Sequence, residues 1–356
     1  MTVKELIARS KAAQAEFAFA TQEQADAAAK AICKVVYDNA EKLGPMAAEE
    51  SRMGSEQDKI AKCRNKSALI WESLKGKKSC DIINRIEERR MIEVAKPVGV
   101  VASIIPSTNP VVTPMSNGAF ALKCRNSVIF APHPRAVKCT KLLVEMFRAE
   151  LKKLGLPEDL VLGLEEVSND LTSELMSAAD MVVATGGMGM VKAAYSSGKP
   201  AIGVGQGNVQ CIIDEDADIA DAVGKIIIGR AFDNGLICLG EQTVFVPEDK
   251  EAEFVAEMKK QGGYLVEGEE NVDKLREGLF PGGGAFSRVV VGMFADQVSD
   301  EIGLGAPKGT RVLFAKAKAL GAGDVLCREK LCPVIAYMTY KTFKEGVAMM
   351  ETNLDH

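Results

Sequence analysis

Apolar residues recur three and four positions apart through residues 2–74, which predicts a helical N-terminal region. Within it, Thr21-Gln22-Glu23-Gln24 is a capping box, in which the threonine side chain and Gln24 satisfy orphan amides at a helix start. Gly44-Pro45 and Gly54 interrupt the pattern and predict helix ends. Between 82 and 95 the pattern changes to two short, partly alternating runs around a charged turn, which predicts a β-hairpin. A two-stranded ribbon is not stable alone, so it needs a partner surface, such as another subunit. From Pro97 onward, apolar runs alternate with helical patterns. Strands are predicted at 98–105, 127–131, 160–164, 181–184 and 209–213, with helices at 112–123, 135–154, 171–177, 188–196 and 219–230. Near-continuous apolar strands covered by helices make a doubly wound parallel sheet of the α/β class. Ligands on such sheets bind beyond the carboxyl ends of the strands. A second α/β unit follows, with strands at 243–246, 289–291, 311–314 and 334–337 and helices at 250–261 and 343–356. The expected division is therefore a first domain over 1–236, with its protruding hairpin at 82–95, and a second over 237–356.

Composition narrows the function. The 356 residues are 47% hydrophobic, enough for two buried cores, and the net charge of −5 with few aromatics argues against a nucleic-acid binder. Charged residues sit where a signal peptide would be apolar, and no apolar run approaches a membrane span, so the chain is expected to be cytoplasmic. The nine cysteines form no CxxC pair, which in a cytosolic chain reads as reduced thiols. Only two histidines occur, His133 and the terminal His356, so a histidine-rich metal site is excluded by count and a Ser-His-Asp triad is disfavoured.

The chemistry-bearing segments lie at junctions between elements. Phe232-Asp233-Asn234-Gly235 forms a turn after the helix at 219–230, and Cys238 stands three residues past its Gly235. A thiol there is either a nucleophile held up to a cleft or one more small buried residue. Asn109, between a strand end and a helix, has an amide suited to an oxyanion, though a simple turn is the commoner use. Thr185-Gly186-Gly187 follows a strand and opens a helix, where a phosphate can approach the backbone or where glycines serve tight packing. The three-glycine dinucleotide fingerprint fails there, because its third position is Lys192. Gly203-Val204-Gly205-Gln206-Gly207-Asn208 reads as a second glycine loop. Glu329, taken alone, reads as a surface glutamate.

Together, STNPVVTPMSN, APHP, ATGGMGMVKAAYSSGKPAIGVGQGN, FDNGLICLGEQ and EKLCPV resemble the aldehyde dehydrogenase superfamily, and its CoA-acylating branch in particular. That branch holds acetylating acetaldehyde dehydrogenases and CoA-acylating succinate-semialdehyde dehydrogenases. The resemblance implies an NAD(P)-binding first domain and a catalytic second domain. It implies that Cys238 is the nucleophile and that Asn109 holds the oxyanion together with the Cys238 backbone N–H. Thr185, Gly186 and Gly187 would line the nicotinamide and phosphates, Glu329 would hold the nicotinamide ribose, and Pro132 and His133 would border the adenosine ribose. Pro106, Ser107 and Gly203 are assigned to the cofactor with them. Gly203 also stands where hydrolytic members carry a water-activating glutamate, which points to coenzyme A as the acyl acceptor. An acidic residue after strand 127–131 would favour NAD, whereas Arg135 tolerates the NADP phosphate. The implied partners are a small aldehyde, coenzyme A and further copies of the chain. Family members continue well beyond residue 356, so the second domain is expected to be incomplete. The rival readings are a hydrolytic aldehyde dehydrogenase and an inactive nucleotide-binding protein.

Overall fold

A computed structural model describes residues 1–354. They divide into two units, one of residues 1–52 and 56–205 and the other of residues 53–55 and 206 onward.

The first unit opens with four helices, α1 (Val3–Phe17), α2 (Gln22–Asp38), α3 (Ala40–Ser51) and α4 (Glu56–Leu74). The capping box at Thr21 is formed. The helix end expected at Gly44-Pro45 is not there: both residues lie inside α3, and the break comes earlier, at Asn39. The glycine serves packing instead. A Cβ at Gly44 would meet the Ile60 backbone nitrogen of α4 at 2.7 Å, so the two helices cross where only a hydrogen fits. The hairpin follows, with β1 (Asp81–Ile86) antiparallel to β2 (Met91–Ala95) and a register shift between Ile82 and Asn84. Ile82, Ile83, Met91, Ile92 and Val94 are exposed on it.

The rest of this unit alternates through β3 (Val100–Ile105), α5 (Val112–Lys123), β4 (Ser127–Pro132), α6 (Val137–Lys153), β5 (Val161–Gly163), α7 (Asn169–Ala178), β6 (Met181–Thr185), α8 (Met188–Tyr195) and β7 (Ala201–Val204). All five strands from β3 are parallel, in the order β5-β4-β3-β6-β7. Side chains alternate across a strand, so one sheet needs two cores. Val101, Ile105, Val128 and Phe130 join a cluster with α2, α5 and α6. Val100, Ala102, Ile104, Ile129 and Ala131 join another with α1 and α7. The sheet is doubly wound, as the apolar runs predict. Its order reverses direction between β3 and β6.

The second unit holds β8 (Val209–Ile212), α9 (Ile219–Ala231), β9 (Glu241–Pro247), α10 (Glu251–Lys260), β10 (Gly263–Leu265), α11 (Glu269–Leu279), α12 (Ala295–Ile302), β11 (Val312–Lys316), β12 (Val334–Tyr340) and α13 (Phe343–Leu354). Its parallel sheet runs β10-β11-β12-β9-β8, with a core on each face. The boundary expected at 236/237 thus moves to 205/206. The strand at 209–212 hydrogen-bonds to β9, not to the first sheet, and takes α9 with it. The strand expected at 289–291 is a turn: Val290 alone is buried, and Gly292 leaves with a φ of 70°. The expected final helix ends at Leu354, and its last two residues lie outside the described ones.

Substituting Gly44→Ala should force α3 from α4 and lower the unfolding free energy by about 1–3 kcal/mol, as overpacking usually does. A urea midpoint unchanged from the parent would show that the helices can separate without cost.

Candidate active site

In the first unit the candidate residues collect at the carboxyl edge of the sheet. Pro106, Ser107 and Asn109 follow β3, Pro132 ends β4 with His133 next, and Thr185 ends β6 before Gly186 and Gly187. The β3–β6 reversal is a topological switch point, where the loops leaving two neighbouring strands part and open a crevice. The His133 N–H donates to the Ile105 carbonyl at 3.1 Å, which ties the end of β4 to that of β3. Gly187 is the residue before α8, and a Cβ at Gly187 or Gly189 would meet nothing within 4 Å. The first turn of a helix leaves amides without intrahelical partners, so this edge fits an anionic group such as a dinucleotide phosphate. Asn109 is held on both sides of its amide: Oδ1 accepts from Lys62 Nζ at 2.9 Å, and Nδ2 donates to Thr108 Oγ1 at 3.3 Å.

Gly203 lies differently. It is in the edge strand β7, where the sequence suggested a loop, and a Cβ there would meet Val191 Cγ1 at 2.7 Å and Tyr195 Cε2 at 2.8 Å. A Cβ at Gly205 would meet Met188 Sδ at 2.8 Å. These glycines let α8 close onto the sheet; they do not open a space.

The second unit presents Cys238. Asp233, Asn234 and Gly235 all have positive φ, at 49°, 53° and 74°. Asp and Asn are the side chains that best tolerate this left-handed conformation. Each is also tied down: Asp233 Oδ1 accepts from the Ser55 N–H at 3.1 Å, and Asn234 Nδ2 donates to the Gly292 carbonyl at 2.9 Å. The chain then turns again, with the Gly240 N–H bonded to the Ile237 carbonyl at 3.0 Å, and Cys238 stands exposed within that turn. Leu236, just before it, is buried and anchors the segment.

A fully buried guanidinium lies behind this turn. Arg230, at the end of α9, donates through Nη2 to the carbonyls of Lys330 and Cys332, and through Nη1 to the Glu241 carbonyl at 3.4 Å. Burial lowers its pKa to about 10, so it remains charged at neutral pH. Gln242 adds a bond from the Lys330 N–H at 2.9 Å. Lys330 is itself buried, its Nζ donating to the carbonyls of Leu326 and Arg328 at 2.6 and 2.8 Å, and burial pulls its pKa down to about 7. The loop at 329–333 is thereby fixed to the turn that carries Cys238. Glu329 is nearly buried; desolvation raises its pKa, and its carboxylate accepts from the Gly207 N–H at 3.0 Å. Gly207 also passes close to the thiol segment: a Cβ there would meet the Cys238 carbonyl oxygen at 2.8 Å. Cys238, Glu329 and Gly207 precede β9, β12 and β8, three neighbouring strands. In this unit the site therefore gathers at the amino ends, not at the carboxyl ends expected for such sheets.

Glu241 packs its side chain on a helix. Its carboxylate lies against α9, where a Cβ at Gly229 would meet Oε2 at 2.4 Å. Cys124 is also exposed, at the C-terminal end of α5, while the remaining cysteines are buried or partly buried. Sequence reasoning passed over Lys62 and Arg230. The available signals were a lysine one position before the buried Cys63 on α4 and an arginine ending the apolar run Ile226-Ile227-Ile228.

Comparison with known proteins matches residues 1–274 to the aldehyde dehydrogenase family. The chain is 47% identical over 353 residues to a succinate-semialdehyde dehydrogenase (acetylating) from Clostridium kluyveri, covering 99% of this chain and 78% of that one. Among solved structures, an acetylating aldehyde dehydrogenase from Geobacillus thermoglucosidasius matches with a TM-score of 0.93 at 36% identity, over 99% of this chain and 78% of that one. A propionaldehyde dehydrogenase from Rhodopseudomonas palustris, with bound CoA and an acylated cysteine, matches with a TM-score of 0.86 at 28% identity, over 99% and 81%.

Substituting Arg230→Met should remove its bonds to the carbonyls of Glu241, Lys330 and Cys332 and lower the unfolding free energy by about 2 kcal/mol or more. Cys238→Ser, at an exposed position, should stay within about 0.5 kcal/mol of the parent. Denaturant titration of both variants checks the contrast, and equal stabilities would show that the guanidinium does not hold the loop.

Proposed function

The chain belongs to the aldehyde dehydrogenase family, and on that footing we propose that it works as a CoA-acylating member with Cys238 as its nucleophile. It oxidises an aldehyde to an acyl-CoA with NAD or NADP. The Cys238 thiolate adds to the aldehyde carbon and forms a thiohemiacetal. The Asn109 amide and the Cys238 backbone N–H donate to the oxygen that becomes negative. Thr185, Gly186 and Gly187 hold the cofactor phosphates and nicotinamide with Pro106 and Ser107, Pro132 and His133 border the adenosine ribose, and Glu329 takes the nicotinamide ribose. Bound there, the cofactor serves as the hydride acceptor for the oxidation that leaves an acyl thioester on Cys238. The coenzyme A thiolate attacks that thioester, releases the acyl-CoA and returns Cys238 as the thiolate.

The observation that carries the choice of acceptor is at position 203. Water needs a general base within hydrogen-bond reach. Hydrolytic relatives hold a glutamate here, whereas this chain has a glycine whose missing side chain would run into Val191 and Tyr195. Glu241 is turned onto α9 and Glu329 is engaged by the Gly207 amide. A thiolate acceptor needs no such base. Gly203 thus admits α8, and its backbone stays among the groups assigned to the cofactor.

Among aldehydes, succinate semialdehyde is our first choice, because the Clostridium kluyveri relative that acts on it is similar along nearly the whole chain. We assign the working form to the cytoplasm as a homo-oligomer, with the exposed apolar residues of the β1–β2 hairpin covered by a second copy. Among the described residues no helix is long and apolar enough to cross a membrane.

The test is a single-turnover experiment with succinate semialdehyde or acetaldehyde and excess NAD or NADP. Without coenzyme A, one burst of reduced cofactor per chain is expected, and adding coenzyme A should restart turnover and yield acyl-CoA. Cys238→Ala should give no burst. Steady formation of the free acid without coenzyme A would replace this reading with the hydrolytic one.

A further inference from the structure

The geometry points to Lys62 as a positioning residue for the reaction, acting through Asn109. Lys62 comes from α4, 47 positions earlier in the chain, and is only 4% exposed. Its Nζ lies 2.9 Å from Asn109 Oδ1. An ammonium has three donors and no acceptor, so the atom it meets must be the amide oxygen. The reversed amide would place an NH2 group against an NH3⁺ group. The contact therefore allows one orientation of Asn109, with Nδ2 directed away from the lysine. One Nδ2 hydrogen goes to Thr108 Oγ1 at 3.3 Å, and the second is the one left for a ligand oxygen.

Two consequences follow for an oxyanion donor. The amide is oriented before substrate arrives, so no reorganisation is needed as charge develops. The positive charge on Oδ1 also draws electron density from the amide and makes its N–H a stronger donor, as in other charge-assisted chains. Burial keeps the ammonium from trading this partner for bulk water. Lys62 thus serves the dehydrogenase half-reaction through Asn109. Nothing in the sequence around Asn109 signals it, because the partner arrives from a separate helix.

The proposal rests on Asn109 as the oxyanion donor, and a double-mutant cycle in the full chain separates the two claims. The readouts are the burst rate of cofactor reduction with saturating aldehyde, the dissociation constant of the oxidised cofactor, and thermal stability. Asn109→Ala should slow the burst roughly a hundredfold or more, the scale of one oxyanion donor. Lys62→Met should slow it by roughly tenfold to a hundredfold, as misplaced groups near a reacting centre do, with cofactor affinity within about twofold of the parent. Lys62→Arg, which restores a cationic donor, should recover part of the loss. The double variant should be no slower than Asn109→Ala alone, because the lysine acts only through the amide. Should Lys62→Met fail to fold, Lys62→Gln replaces it in the cycle. A slow Asn109→Ala beside a parent-like Lys62 variant overturns the role of Lys62 and leaves that of Asn109. Losses that multiply in the double variant also overturn it, since the lysine would then act independently. A parent-like Asn109→Ala overturns both.

Discussion

A charge removed from water must be met by dipoles, and Arg230 shows what that requirement builds. Its guanidinium is fully buried, with backbone carbonyls as its hydrogen-bond acceptors, from Lys330, Cys332 and Glu241. Satisfying it draws the loop before β12 and the segment before β9 onto the end of α9. These are the two pieces of chain that carry Glu329 and Cys238. The thiol can be exposed and still be fixed in place because the backbone behind it is not free to move. The left-handed run Asp233-Asn234-Gly235 is held by the same logic, with side-chain bonds to backbone groups at Ser55 and Gly292.

The two units use one architecture in opposite senses. In the first, the cofactor candidates sit beyond the carboxyl ends of β3, β4 and β6, around the reversal in strand order. In the second, Gly207, Cys238 and Glu329 precede the adjacent strands β8, β9 and β12. Sheet topology alone therefore points to the candidate residues in one unit and misleads in the other. What locates the thiol is the packing of two incoming segments on a single buried cation, with Gly207 tied to one of them through Glu329.

Much of the fold was legible in the sequence for a simple reason. The strands of a sheet covered on both faces read as near-continuous apolar runs, and β3 and β4, buried at every position, announce themselves. The capping box at Thr21 was legible because its partners lie three residues apart. Long-range features were not. The strand at 209–212 looks the same whichever sheet it joins, so the unit boundary was misplaced. Gly44 and Gly203 resemble breakers and loop formers, but their reason lies in Ile60 and Tyr195, distant from or oblique to the local pattern. Cys238 was singled out by its turn and by the resemblance together. Lys62 needed the tertiary structure, because a lysine on a helix is normally a solvated one.

In the proposed reaction, Cys238 is the group through which the acyl chain passes between aldehyde and coenzyme A. The reverse half-reaction tests it with no cofactor present. The protein is incubated with succinyl-CoA or acetyl-CoA, free coenzyme A is measured, and the chain is digested and weighed by mass spectrometry. One acyl group per chain is expected, on Cys238, with one equivalent of coenzyme A released. Acylation at another cysteine, or none at Cys238 with either acyl-CoA, would contradict it.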